Sequence, residues 1–200
     1  MGKIRNGVLS GKIGNVVIAG EIVRIKPAKR KASSWSEDQK SQRGRVTAVA
    51  KLYRSLKTKV VAPIWKKNTI EGLTAYNQFV QSNIKAFNKS GELADPGKLC
   101  LSRGVLYNPF EISVVTKGVK GIALKWQSDS LDSQEREKDE LLAVFFNGKN
   151  FSGITDLNTV RSNDSASVVY PEGFSLNDYM YVFFGSRKRD KYSDSIALKL

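Results

Sequence analysis

The period of the apolar residues changes at Asp95-Pro96-Gly97 in this chain of 200 residues. Over residues 36–95 apolar residues recur every three or four positions, a spacing typical of amphipathic helices. After this point they alternate with polar residues in short runs separated by turn-forming residues, a pattern typical of β-strands. The change predicts an α+β fold in which helices come first and antiparallel strands follow.

Residues 96–200 carry enough short strands for a β-sandwich domain. We expect strands over 111–116, 121–127, 141–147, 168–170, 179–185 and 195–200, with weaker candidates over 98–103 and 155–161. About seven strands in roughly 105 residues are typical of an immunoglobulin-like or fibronectin-like sandwich. Trp126 is expected to face the core, and a chain whose only cysteine is Cys100 cannot form the inter-sheet disulfide of antibody domains.

Two pairs of adjacent phenylalanines lie in the expected strands, Phe145-Phe146 and Phe183-Phe184. Successive side chains of a strand point to opposite faces of the sheet, so each pair sends one ring to each face. One ring of each pair must then be covered by the helices, by the amino-terminal segment or by another subunit, since large exposed apolar patches are rare.

Residues 36–95 predict two helices that form an antiparallel hairpin. Ser36-Glu37-Asp38-Gln39 is a capping box, with two acids in the first turn. The apolar stripe of the first helix continues to the region of Pro63 and consists of Val46, Val49, Tyr53, Leu56 and Val60. A second amphipathic helix is expected from about residue 69 to about residue 88, with Gly91 just beyond its end.

Residues 1–35 form a basic segment with glycines at positions 2, 7, 11, 14 and 20. Short β-prone pieces lie between the glycines, over 15–18 and 21–25. A segment of this composition cannot build a core by itself. Two interpretations stay open: a β-hairpin pinned onto the body, and an extended arm that becomes ordered on a partner.

The net charge of the chain lies entirely in its first third. Residues 1–67 carry 17 Lys and Arg against three acids, whereas residues 68–200 carry 16 of each sign. Net charge bears on partners and association rather than on fold. After Asp38 the first helix has no acid, which favours a binding surface over an ordinary solvated face. The residues expected to bind a protein partner or nucleic acid are Lys12, Arg24, Lys26, Lys29, Arg30, Lys31, Arg43, Arg45, Lys51 and Arg54.

The absence of histidine excludes several classes of enzyme. Without it the chain cannot form a Ser-His-Asp or Cys-His site, a His-ligated metal site or an imidazole acid–base pair. Cys100, between Leu99 and Leu101, is expected to be a packing residue. We therefore expect no catalytic residues, no cofactor, no metal and no small-molecule substrate.

An enzyme that uses carboxylates is the remaining catalytic alternative. Asp156, Asp164 and Asp178 lie near the ends of expected strands, where loops carry function. Their spacing does not distinguish them from ordinary turn residues.

The sequence contains no apolar run of the roughly 18–20 residues that a membrane-spanning helix requires. The first residues are too interrupted by Gly, Lys and Asn to form the apolar part of a signal peptide. We expect a cytoplasmic protein, or one that enters a virion after assembly inside the cell, with no membrane partner.

Two groups of motifs resemble a known family. The first group is Gly11-Lys12-Ile13-Gly14-Asn15-Val16-Val17, Arg24, Lys26-Pro27, Gln39 and Gln42-Arg43. The second is Leu124-Lys125-Trp126-Gln127, Tyr181-Val182-Phe183-Phe184 and Tyr192-Ser193-Asp194-Ser195-Ile196-Ala197-Leu198. Together they resemble a family of bacterial proteins of about this length that is classified as a domain of unknown function. The chain departs from the family at Ala19-Gly20-Glu21, where the family has a Trp-Lys-Gly step. The resemblance implies a helical amino-terminal part and a sandwich, and it brings no catalytic residues.

Two functions fit these features. The first is a non-enzymatic structural or adaptor subunit of a large bacterial or phage-type assembly, which contacts other protein subunits, alike or different, through its basic first third. The alternative is a nucleic-acid-binding protein without sequence specificity, since the chain contains no helix-turn-helix, zinc-finger or ribonucleoprotein motif. The expected organisation is a basic arm or hairpin over 1–35, a helical hairpin over 36–95 and the sandwich over 96–200.

Overall fold

A computed structural model describes residues 3–5, 8–19, 21–26, 28, 35–69, 72–127 and 136–200. The chain divides into two compact units, residues 1–39 and residues 40–200. The fold combines helices with antiparallel sheets, so the predicted α+β class is confirmed.

The first unit contains a four-stranded antiparallel sheet in the order β1-β2-β3-β4. Its strands are β1 (Lys3–Arg5), β2 (Val8–Ile13), β3 (Val16–Ala19) and β4 (Ile22–Ile25). Gly14 lies in the two-residue turn between β2 and β3 with a φ of 56°, a left-handed conformation that glycine adopts without strain. The segment is thus a meander of four strands, larger than a single hairpin.

Helix α1 runs from Glu37 to Ser55 and begins with the expected capping box. The Gln39 backbone N–H donates to Ser36 Oγ at 3.3 Å, and the Ser36 backbone N–H donates to Gln39 Oε1 at 3.3 Å. This reciprocal pair satisfies two of the N–H groups that every helix start leaves open.

A π-helical segment, Lys57–Trp65, follows α1 and contains Pro63. The sequence predicts one regular helix up to this proline. In the structure the helix changes from α to the wider π form before the proline, since the Val61 N–H donates to the Leu56 carbonyl, five residues back, at 3.0 Å. Proline has no N–H to donate and its ring disturbs regular α-helical packing, so a wider turn suits it. The segment buries Val60, Val61, Ile64 and Trp65.

Helix α2 is shorter than the sequence predicts and runs from Ala75 to Asn83, followed by a 3₁₀ turn over Ile84–Ala86. Thr74 is extended and caps the helix, because its Oγ1 accepts the Asn77 N–H at 3.2 Å. At the other end Asn83 Oδ1 accepts the Cys100 N–H at 2.8 Å and Asn83 Nδ2 donates to the Cys100 carbonyl at 3.0 Å. These side-chain bonds fix both ends of α2.

In the described part of the second unit, seven strands form two antiparallel sheets. They are β5 (Phe110–Lys117), β6 (Gly121–Gln127), β7 (Glu140–Phe146), β8 (Thr155–Val160), β9 (Ser165–Val169), β10 (Tyr179–Gly185) and β11 (Ile196–Lys199). One sheet has the order β5-β6-β9, and the other has the order β11-β10-β7-β8. The weaker strand candidate over 155–161 is therefore confirmed as β8.

The other weak candidate, over 98–103, is wrong. Residues Pro96–Lys98 form a 3₁₀ turn, and the chain after them is irregular. Side chains satisfy the backbone there: Trp65 Nε1 donates to the Leu101 carbonyl at 2.8 Å, and the Leu101 N–H donates to Ser195 Oγ at 2.9 Å. With these partners the segment needs no neighbouring strand.

The sheet of β7 and β10 is buried on both faces. One face meets the β5-β6-β9 sheet in a core that contains Trp126, Phe145 and Phe184. The other face meets the helical segments in a second core that contains Trp65, Phe146 and Phe183. The paired phenylalanines therefore divide between the faces as expected, and the helices cover the second face.

We expect Phe183→Ala to lower the free energy of unfolding by about 3–5 kcal/mol, because it removes a fully buried ring from the core shared by sheet and helices. The measurement is urea unfolding followed by tryptophan fluorescence. The control is Val115→Ala on β5, whose side chain is 62% exposed, and it should change stability by less than about 0.5 kcal/mol. A loss below about 1 kcal/mol for Phe183→Ala would contradict the packing of the helices on this face.

Candidate docking surface

Four basic side chains form one exposed stripe on α1. Lys40, Arg43, Lys51 and Arg54 are spaced by three, eight and three residues, which places them on the same side of a helix with 3.6 residues per turn. The stripe is about 21 Å long, from the 1.5 Å rise per residue. We call these four residues the basic stripe.

The side of α1 opposite the basic stripe packs into the core. Val49 on the other side of α1 and Leu56 just after it are fully buried in the core shared with the β7–β10 sheet. Tyr53 packs edge-on against Tyr76 and Phe79 of α2, with ring centroids 5.2 and 5.5 Å apart. The backbone of the stripe is thus part of a packed layer.

Arg45, a predicted binding residue, does not belong to the basic stripe. Two residues after Arg43, it lies on roughly the opposite side of the helix. Its side chain is half-buried, and its Nε donates to the Asn88 carbonyl at 3.4 Å. Arg45 therefore links α1 to the segment that follows α2.

Two of the lysines beyond α1 donate hydrogen bonds to backbone carbonyls within the second unit. Lys59 Nζ donates to the Phe151 carbonyl at 3.1 Å, and Lys67 Nζ donates to the Arg189 carbonyl at 2.7 Å. Lys57 and Lys66 are exposed. Residues 40–67 carry nine basic residues and no acid, so the acids of α1 are confined to its first turn, at Glu37 and Asp38.

In the first unit the structure places two of the predicted basic residues side by side. Lys12 of β2 and Arg24 of β4 both lie opposite Val17 of β3, so they share one face of the sheet. Lys26 follows β4, and its backbone N–H donates to the Asn15 carbonyl at 2.7 Å. Three further predicted residues, Lys29, Arg30 and Lys31, lie outside the described residues.

Sequence reasoning misses an open groove at one end of the sandwich. It has a volume of about 530 Å³ and is lined by Gly104, Leu106, Tyr107, Asn108, Pro109, Phe110, Glu111, Asp194 and Ile196. Tyr107 and Phe110 are more than half exposed, while Pro109 between them is buried. The only signal in the sequence is two aromatic residues flanking Asn-Pro, which reads as a simple turn.

A buried ion pair lies near this groove and belongs to the core. Arg161 Nη2 lies 3.2 Å from Asp139 Oδ2 and donates to the Tyr107 carbonyl at 2.9 Å. The Arg161 guanidinium also stacks 3.9 Å from the centre of the Phe184 ring. Burial raises the pKa of Asp139, and the charge of Arg161 opposes that shift. Asp139 lies just before β7, Arg161 lies in the turn after β8, and Tyr107 lies in the loop before β5. The ion pair and its hydrogen bond therefore join these three segments.

The three carboxylates considered for catalysis have turn roles. Asp156 accepts the Asn158 N–H at 2.8 Å and pairs with Arg189, and Asp178 accepts the Ser175 N–H at 2.7 Å. Asp164 ends a short 3₁₀ turn in a left-handed conformation with a φ of 56°, and its buried Oδ1 has no hydrogen-bond partner among the described residues. Asp156 and Asp178 therefore stabilise two separate loops, whereas the Asp164 carboxylate does not hold its turn by a hydrogen bond to Oδ1.

Cys100 is a packing residue, as the sequence predicts. Its side chain packs against the core shared by sheet and helices, and its Sγ donates to the Ser102 carbonyl at 3.1 Å. Burial, with a smaller contribution from Asp194, raises the pKa of the thiol to about 11. A thiol with this pKa is almost fully protonated at neutral pH and is a poor nucleophile.

Three comparisons with known proteins were made. No family model matches the sequence, and no curated protein matches it. Four solved chains match in structure. One comes from work on the computer-based redesign of a β sandwich protein; it is 19% identical, has a TM-score of 0.34, and the match covers 48% of this chain and 89% of that one. Among the helices in the described ranges, none is both long and apolar enough to cross a membrane.

We expect the Cys100 thiol of the folded protein to react with Ellman's reagent at pH 8 about 100-fold more slowly than in the urea-unfolded chain. The reason is that the raised pKa leaves only about one thiol in a thousand ionised at that pH. Absorbance at the reagent's product band gives both rates. Equal rates would show that the thiol is accessible and has an ordinary pKa, against a packing role.

Proposed function

We propose that the protein is a non-enzymatic structural or adaptor subunit of a large bacterial or phage-type assembly, and that it docks on its neighbours through its basic first third. The observation that supports this most is the basic stripe, because its four cations project from a helix whose other side is packed into the core. A surface held in this way loses little conformational entropy on binding. The assembly forms in the cytoplasm, and a virion is one form that it takes.

The absence of histidine and the turn hydrogen bonds of Asp156 and Asp178 support a binding role over catalysis. Within the described residues no group of three or more Cys, Asp or Glu side chains is placed to hold a metal ion. The partner that we propose is a macromolecule with exposed negative charge, because the basic stripe is positively charged.

We further propose that the sandwich is immunoglobulin-like. Its first, second and fifth strands share one sheet, and its third, sixth and seventh share the other, which is the division found in immunoglobulin domains. The fourth strand, β8, pairs with the third and lies in the second sheet, whereas the fourth strand of a constant-type immunoglobulin domain lies in the first. Domains of this kind serve as building blocks, and the motifs shared with the bacterial family of unknown function support membership of that family.

The contacts of Tyr53 with Tyr76 and Phe79 support an antiparallel helical hairpin made of α1 and α2. The turn between the helices contains the π-helical segment Lys57–Trp65. In this arrangement the hairpin is the base from which the basic stripe faces the partner.

Non-specific nucleic-acid binding is the second candidate function. Nine basic residues without an acid over 40–67 favour it, since phosphate contacts of this kind supply most non-specific affinity. Both functions use the basic stripe, and they differ in the chemistry of the partner and in salt dependence.

We expect the double substitution Lys51→Gln and Arg54→Gln to weaken binding to an acidic surface by about 5- to 30-fold, because two exposed charge contacts are lost. The measurement is fluorescence anisotropy of the full chain with labelled polyglutamate, which stands in for an acidic protein surface, at about 50 mM salt. The control is Lys85→Gln with Lys89→Gln, which removes the same charge from exposed positions outside the stripe and should leave affinity within about twofold.

A labelled DNA duplex in the same assay distinguishes the two functions. If the duplex binds far more tightly than polyglutamate, with log K falling against log salt by about 0.9 per phosphate contact, the nucleic-acid function replaces the structural one. If neither probe binds at about 50 mM salt, both proposals are wrong. Equal losses in the stripe variant and the control variant would show that net charge, and not the stripe, determines binding.

A further inference from the structure

The sheet of the first unit has one face that is entirely apolar across β2, β3 and β4. The register aligns Ile13, Val16 and Ile25 in one row across the three strands. The next row on the same face, two residues along each strand, pairs Ile18 with Val23. Five branched aliphatic side chains therefore lie together on this face, which we call the aliphatic face.

The charged residues of these strands lie on the opposite face. Lys12 and Arg24 share a row with Val17, one residue out of phase with the aliphatic rows. Ile22 has the same phase as Arg24 and also lies on this side. Because the strands alternate in this way, the sheet separates its cations from its aliphatic side chains by its own thickness.

The aliphatic face is exposed. Ile25 is 78% exposed, Val23 is 66% exposed and Ile13 is 53% exposed, while Val16 and Ile18 are half-buried. A small sheet becomes stable when one apolar face packs on another element, and stacked sheets do so at a separation of about 10 Å. Five aliphatic side chains on one open face are the kind of patch that marks a protein interface.

We infer that the aliphatic face binds the same face of a second copy of this chain, so that two sheets stack about a two-fold axis. The charge pattern selects this occupant. At the described positions the face carries no charge, so its partner must also be apolar, and an identical face satisfies this requirement.

Self-association of these strongly basic chains also requires that their charges stay apart. In the stacked pair Lys12 and Arg24 of each copy point outward from the two sheets, on the far sides of the interface. Stacking through the other face would point the same cations into the space between two sheets about 10 Å apart, which is close to the screening length of about 8 Å at physiological salt, so their repulsion would be only partly screened. An anionic membrane is a poor match for the aliphatic face, since the cations that would attract it lie on the reverse side.

This inference concerns a different surface from the basic stripe and does not depend on the proposed docking function. The Lys51→Gln and Arg54→Gln variant should dimerise like the unsubstituted chain. The docking function and the self-association can therefore be disproved independently of each other.

The test is sedimentation velocity of the full chain from about 1 μM to about 1 mM, the range in which small interfaces dissociate. We expect a monomer–dimer equilibrium whose dissociation constant rises about tenfold or more with Val23→Thr and Ile25→Thr. The matched control is Ile22→Thr, which removes an equally exposed aliphatic residue, also 66% exposed, from the charged face and should leave the constant unchanged. Threonine favours strands, so the sheet itself should persist, as far-UV circular dichroism will check.

Cross-linking gives a second measurement that does not depend on dimer stability. A short bismaleimide should link Val23→Cys chains into dimers and leave Ile22→Cys chains at the background set by the unsubstituted protein, which retains Cys100. A protein that is monomeric over the whole range, or an Ile22→Thr variant that weakens the dimer as much as Val23→Thr with Ile25→Thr, would overturn the inference.

Discussion

The pairing of β7 with β10 is the interaction on which the rest of the second unit depends. These strands pair over seven residues, from Tyr179 opposite Phe146 to Gly185 opposite Glu140. Nearly every position on both strands is buried, because one face of the pair supports the sandwich core and the other supports the helices. The helices are held in place by this sheet, so the position of the basic stripe depends on the pairing of two strands that lie more than 80 residues further along the sequence.

The fold is predictable from the sequence where local chemistry and tertiary packing agree. The short runs of β-forming residues at β6 and β10 predict these strands with the bounds that they have in the structure, and the capping box at Ser36 predicts the start of α1. Prediction fails where side chains from distant segments take over backbone hydrogen bonds. The 98–103 segment is bonded by Trp65 and Ser195, and α2 ends where Asn83 bonds Cys100; neither partnership leaves a local signal.

The candidate surfaces divide in the same way. The basic stripe follows from helical spacing alone, whereas the separate role of Arg45 depends on the Asn88 carbonyl, which only the folded chain brings near. The aliphatic face requires knowledge of register: the sequence shows a basic, glycine-rich segment, and only the pairing of Ile13, Val16 and Ile25 shows that charge and aliphatic residues lie on opposite sides. The groove at Tyr107 and Phe110 arises where the loop before β5 lies beside Asp194 and Ile196, residues far along the chain.

The sheet that is buried on both faces also limits how this protein can change over evolutionary time. A sandwich that folds alone can be duplicated, shuffled or inserted into other proteins, because its outer faces are already exposed to solvent. Here the outer face of the β7–β10 pair carries Val144, Phe146, Tyr181 and Phe183, which are shielded from solvent only while the helices cover them. Recombination that separated the helices from the sandwich would expose this face, so the two parts must be inherited together, and variation is left to the edge strands and the loops of the sandwich.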